Sequence, residues 1–149
     1  MRTKLTIYFL FLSVLFAQFS IAEEKFLSLK KNKVNVRYGP SFDSKIKYIY
    51  KKINLPIKQI DKKENFRRVV DLKNNSGWIH ISQVKKSNSI IILEDKILFK
   101  KSSNLSKPIA RLEKGRLLVI KKCENIWCSI VTDDYSGWIK AEKIWGSIK

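Results

Sequence analysis

Apolar and polar side chains alternate in short bursts along most of this chain, and the bursts are too brief for helices. Val34-Asn35-Val36-Arg37 puts both valines on one side of an extended strand and its polar residues on the other. Ile46-Lys47-Tyr48-Ile49-Tyr50, residues 57–60, Val69-Val70 and Trp78-Ile79 are short, β-branched or aromatic, and bounded by turn residues. Gly39-Pro40-Ser41 and Lys73-Asn74-Asn75-Ser76-Gly77 supply turns early on, and Asp133-Asp134-Tyr135-Ser136-Gly137 supplies one later. No window of about 12 residues carries an i, i+3, i+4, i+7 stripe. The pattern predicts an all-β protein.

The pattern also repeats. Ser76-Gly77-Trp78-Ile79 recurs 60 residues later as Ser136-Gly137-Trp138-Ile139. The aromatic-led runs before them, Phe66-Arg67-Arg68-Val69-Val70 and Trp127-Cys128-Ser129-Ile130-Val131, are 61 apart, so the loop before Gly-Trp is one residue longer in the first copy. Leu55-Pro56-Ile57-Lys58-Gln59-Ile60 answers Gly115-Arg116-Leu117-Leu118-Val119-Ile120 in the same way. Two copies are too few for a solenoid, so each is expected to be a compact unit. Five short strands in about 55 residues suit a small barrel. Lys85-Lys86-Ser87-Asn88-Ser89 is the only stretch that reads as a linker. A unit this small buries only about 60% of its unfolded surface, so the two are expected to lean on each other.

The first residues bear on compartment. A basic start with Arg2 and Lys4 leads into an apolar run over residues 5–16, and Ser20 and Ala22 are small at the two positions a signal peptidase reads. Residues 1–22 are expected to be a signal peptide cleaved between Ala22 and Glu23. The rival is an uncleaved anchor, but Ser13, Gln18 and Ser20 interrupt the run, and a span wants about 20 apolar residues. Export places the chain in the periplasm or cell envelope, with no stable membrane insertion once the leader is gone.

Losing Arg2 and Lys4 lowers the formal net charge only from +18 to +16. Such a bias draws a protein to anionic surfaces, though part of it is solvated lysine in a composition rich in Lys, Asn and Ile. Export argues against nucleic acid as the partner. Cys123 and Cys128, separated by four residues, are candidates for a disulfide in an oxidising compartment, with free buried thiols as the alternative. Two cysteines and one histidine do not make a structural zinc site.

In family order, Val34-Asn35-Val36-Arg37-Tyr38-Gly39-Pro40-Ser41, Leu55-Pro56-Ile57, Phe66-Arg67-Arg68-Val69-Val70-Asp71 and Gly77-Trp78-Ile79-His80-Ile81-Ser82 resemble the bacterial SH3 (SH3b) domain. Phe66 stands where that family usually has tryptophan. The second copy is looser: Ile97-Leu98-Phe99-Lys100 replaces the V-N-V-R opening, and Ser102-Ser103-Asn104 replaces G-P. Its later half fits again at Ala110-Arg111-Leu112-Glu113-Lys114-Gly115, Trp127-Cys128 and Gly137-Trp138-Ile139. The resemblance implies two tandem SH3-like β-barrels after the signal peptide, domain 1 over 23–86 and domain 2 over 87–149.

Alternation independently places Ile79 and Ile139 in the core, with Trp78, His80, Trp138 and Lys140 facing the other way. Glycine before each tryptophan implies a close backbone approach or a positive φ.

Catalytic chemistry is poorly supplied. His80 is the one histidine, and no serine or cysteine is placed by sequence to be its nucleophile. Glu64, Asp71, Glu94, Asp95, Asp133 and Asp134 are scattered, and no phosphate loop or metal-ligand spacing occurs. The chain is expected to be a monomeric, non-catalytic binding module without metal or cofactor. Its expected ligand is cell-wall peptidoglycan or a short peptide. The alternative is an adaptor that docks an envelope enzyme or complex. Arg37, Tyr38, Tyr48, Trp78 and His80 are the candidate groove residues: aromatics offer flat contact area and arginine clamps carboxylates. The bland alternative for Tyr48 and Trp78 is packing within or between barrels.

Overall fold

The computed structural model describes residues 24–132 and 134–148. The expected signal peptide over 1–22, its cleavage point between Ala22 and Glu23, and Asp133 lie outside the described residues. Two antiparallel sheets of seven strands follow one another along the chain. The first is built from β1 (Lys25–Leu29), β2 (Val34–Arg37), β3 (Ile46–Tyr50), β4 (Pro56–Lys63), β5 (Phe66–Val70), β6 (Ser76–His80) and β7 (Val84–Lys86), in spatial order β3-β2-β6-β5-β4-β1-β7. The second uses β8 (Ser89–Ile92), β9 (Lys96–Phe99), β10 (Pro108–Leu112), β11 (Leu117–Glu124), β12 (Trp127–Val131), β13 (Ser136–Lys140) and β14 (Ile144–Gly146). Its order, β10-β9-β13-β12-β11-β8-β14, repeats the first strand for strand.

Each sheet is therefore two strands larger than the five-stranded unit expected. The additions are the strands that open and close each copy. β7 and β8 take in most of the expected linker, leaving only Ser87 and Asn88 between them. Ser87 is buried and Ser89 wholly so, which corrects the picture of a free linker. Lysine, serine and asparagine make a surface turn by composition. Here small hydroxyls instead fill a tight junction between the sheets.

All seven strands of the first sheet feed one core: Leu27, Leu29, Val34, Val36, Tyr50, Ile57, Val69, Ile79 and Val84. A sheet whose every strand reaches the same cluster must curl on itself, as a small barrel does. In the second sheet Ile90, Ile92, Leu98, Leu112, Leu118, Ile130 and Ile139 take equivalent places, with Ile144 packed against them. The exception is at the start of β9. Val34 lies opposite Tyr50 and Lys96 lies opposite Leu112, so the buried counterpart of Val34 is a lysine, 8% exposed. The V-N-V-R opening thus corresponds to Lys96-Ile97-Leu98-Phe99, one residue earlier than sequence alignment suggests, and Ile97 faces solvent. Lys96 is accommodated because its Nζ donates to Glu94 Oε1 at 3.1 Å while its methylenes lie inside.

Cys123 and Cys128 are directly opposed in the β11–β12 hairpin, with Cα atoms 4.1 Å apart, and form a disulfide. The two-residue loop between the strands brings the pair within bonding reach. Protein recovered from an oxidising compartment without reductant is expected to weigh about 2 Da less than after reduction. Alkylation of both thiols before any reductant is added would contradict the bond.

The two barrels touch through a polar junction and an aromatic one. Ser28 Oγ lies 2.6 Å from Ser89 Oγ, which donates to the carbonyl of Asn54 at 2.5 Å. Alongside, Trp145 Nε1 donates to the carbonyl of Pro56 at 3.0 Å, and its ring meets Phe26 edge-on at 5.2 Å.

Candidate binding site

Each barrel closes along a seam one register pair long. Arg37 on β2 faces Trp78 on β6, and Phe99 on β9 faces Trp138 on β13. The glycine before each tryptophan makes the seam possible. A Cβ on Gly77 would sit 2.4 Å from Val36 Cγ1 and 3.0 Å from the Arg37 carbonyl oxygen; on Gly137 it would sit 2.6 Å from the Phe99 carbonyl oxygen. Neither glycine has a positive φ, so close approach is the operative reason. With Ile79 and Ile139 fully buried, both tryptophans turn outward and are half-buried.

Beside Trp78 lies a shallow hollow of about 260 Å³, lined by Arg37, Tyr38, Lys47, Arg68, Ser76 and Gly77. Three of the five expected groove residues, Arg37, Tyr38 and Trp78, line it. Tyr38 is the most open at 66% exposure, with Lys47 Nζ 5.6 Å from its ring centre. Arg37 is held by its own loop, since Nη1 donates to the carbonyls of Phe42 at 2.9 Å and Ser44 at 2.7 Å. Lys47 Nζ donates to the Ser76 carbonyl at 2.9 Å. The guanidinium of Arg68, exposed and opposite Trp78 in the β5–β6 register, makes no hydrogen bond or ion pair among the described residues.

The other two candidates lie elsewhere. Tyr48 packs against the core, its hydroxyl 3.3 Å from that of Tyr50, which donates to Asp71 Oδ2 at 3.1 Å. Burial pushes the Tyr48 hydroxyl above its ordinary value, and pushes Tyr50 further with help from Tyr48 and Asp71. Asp71 Oδ1 in turn accepts from the backbone N–H groups of Lys73 and Asn75, so this chain of contacts shapes the loop before β6. His80 Nδ1 lies 2.8 Å from Ser82 Oγ and accepts from the Ser82 N–H, capping the short 3-10 turn at Ile81–Gln83. Its ring packs against Phe42 and Phe66, at 4.9 Å and 5.2 Å.

Lys47 and Arg68 line the hollow without being among the five candidates; for Arg67-Arg68 the sequence favours a solvated strand edge over a clamp. Alternation on β3 and β5 gives their direction, but nothing in the sequence says that β5 lies beside β6 or that β3 lies just across β2 from it.

The second barrel carries a counterpart. Lys100, Lys107, Lys121, Ser129 and Gly137 are among the residues lining a hollow of about 670 Å³ beside Trp138. Lys122 Nζ stands 5.1 Å from the Trp138 ring centre. Among the described residues, no group of three or more His, Cys, Asp or Glu side chains comes together.

The family model described as bacterial SH3 domain matches this sequence twice, over residues 30–86 and 97–146. Comparison with curated proteins gives no match. Solved structures similar to the chain include NlpC2 and NlpC1 from Trichomonas vaginalis, each at a TM-score of 0.38 and 12% identity. The alignments cover 83% and 86% of this chain and 48% of each of theirs, so the chain spans about half the length of those structures.

Proposed function

We propose that this chain, which belongs to the bacterial SH3 domain family, is a non-catalytic binding module of the cell envelope that recognises peptidoglycan or short peptides through the Trp78 hollow. Domain 1 spans 23–86 and domain 2 spans 87–149, and the leader is removed at Ala22. The observation that carries the reading is the lining of the hollow: an indole and a phenol beside cations, with no carboxylate among the described lining residues. Trp78 and Tyr38 supply flat apolar contact with a polar edge. Arg68, with its guanidinium uncommitted, takes a ligand carboxylate in bidentate fashion. Arg37 acts one step back, holding the loop that presents Tyr38. Tyr48 and His80 shape the loops around the hollow. An oxidised cysteine pair suits an exported protein.

Retention on purified insoluble peptidoglycan tests this. Binding is expected to persist at about 0.5 M salt, where exposed charges are screened, and to fall about tenfold in Trp78→Ala. Loss of parent binding at that salt would leave only diffuse charge attraction. Recovery of a stoichiometric protein partner instead would favour an adaptor role.

A further inference from the structure

The hollow beside Trp138 shares a lining residue, Lys121, with a second one. Between the barrels runs a cleft of about 640 Å³, with Lys51 and Lys52 on the first barrel's side and Arg116 and Lys121 on the second's. Lys121 lines both this cleft and the Trp138 hollow, where Lys107 and Lys100 continue the series. We propose that these six cations form one track, from the inter-domain cleft onto the Trp138 face, that binds an extended chain of phosphate groups.

Three observations carry the proposal. First, the β11–β12 register steps from Ile120↔Ile130 to Lys122↔Ser129, leaving Lys121 as the extra residue of a β-bulge. A bulge re-aims its unpaired side chain, which places this lysine where the hollows meet. The first barrel has the same bulge at Ile60, so the fold supplies the geometry and only the second copy puts a cation there.

Second, five of the six charges have no ion pair among the described residues. No carboxylate lines either hollow among the described residues. Arg116 alone has an acidic neighbour, Asp134, at 3.7 Å. Clustered like charges repel, and an anionic occupant relieves that cost.

Third, the set is ammonium-rich. Lysine binds phosphate as a point charge without planar alignment, which suits a flexible chain whose charges recur along its length, and polyglutamate as a comparison ligand separates phosphate from carboxylate. The cleft takes residues from both barrels, so the site requires their mutual docking.

The intact chain is titrated calorimetrically with linear polyphosphate at about 0.15 M salt, with orthophosphate and polyglutamate as comparison ligands. Lys121→Glu is expected to weaken polyphosphate binding about tenfold or more. Lys63→Glu, the same charge change at the β4–β5 hairpin outside both hollows, is expected to change it less than about twofold. Trp78→Ala is expected to leave it unchanged, so this site and the peptidoglycan reading stand or fall separately. Circular dichroism confirms folding of each variant, and Lys100→Glu at the far end of the track replaces Lys121→Glu should that chain not fold. Equal losses in Lys121→Glu and Lys63→Glu would reduce the track to bulk charge. Polyglutamate or orthophosphate binding as tightly as polyphosphate would overturn the polyphosphate assignment.

Discussion

Trp145→Ala is expected to lower the stability of the whole chain by about 3 kcal/mol and to separate the unfolding of its two halves. The residue sits on β14 of the second barrel yet bonds to the first: its Nε1 donates to the Pro56 carbonyl, and its ring edge meets Phe26. Truncation removes that apolar contact and leaves a carbonyl on buried Pro56 without its indole donor, a loss of about 1–3 kcal/mol by itself. Barrels of this size are marginal alone, so the interface contributes a large share of their stability. In urea the parent is expected to unfold in one transition and Trp145→Ala in two, or in one at a clearly lower midpoint. Trp145→Phe keeps much of the contact with Phe26 and loses only the N–H, so it should lie between them. An alanine variant within about 0.5 kcal/mol of the parent would show that the Ser28–Ser89 junction alone couples the barrels.

Gly137→Ala is expected to cost a similar amount, about 3 kcal/mol, for a steric reason. The added methyl would lie 2.6 Å from the Phe99 carbonyl oxygen and about 3 Å from Leu98. The carbonyl belongs to the strand that β13 must meet, so relief requires parting β9 from β13. That seam is only one register pair long, Trp138↔Phe99. The same parting would disturb the Trp138 hollow. Gly115→Ala separates space from conformation: its φ is +86° and nothing lies within 4 Å of the new methyl. Backbone strain alone should cost about 1 kcal/mol there. Thermal or urea melts of the two variants are the measurement. A Gly137→Ala chain as stable as Gly115→Ala would mean that the seam is looser than its geometry implies.

Much of this architecture is written in local pattern. Alternation and turn residues place the strands, the Gly-Trp repeat gives two units, and the offset of 60 against 61 locates the longer loop, residues 71–75 against 132–135. These follow from short-range physics: side chains of a strand alternate, and turns need particular residues. Ile79 and Ile139 in the core and tryptophan outside follow from the same rule.

The tertiary structure decided what depends on partners distant in sequence. Hydrophobicity favours Ile97 inside, yet the pairing of β9 with β10 and β13 shifts the register by one and buries Lys96, because a register slip turns every side chain over and only the neighbours choose. Arg37 and Trp78 are 41 residues apart in sequence and share one hollow because β2 closes on β6. Tyr48 and His80 look like their equals in sequence, but Tyr50 and Ser82 engage them elsewhere. Composition can count the lysines. Which of them stand together without a carboxylate is set by how the barrels dock and by where a bulge turns one strand.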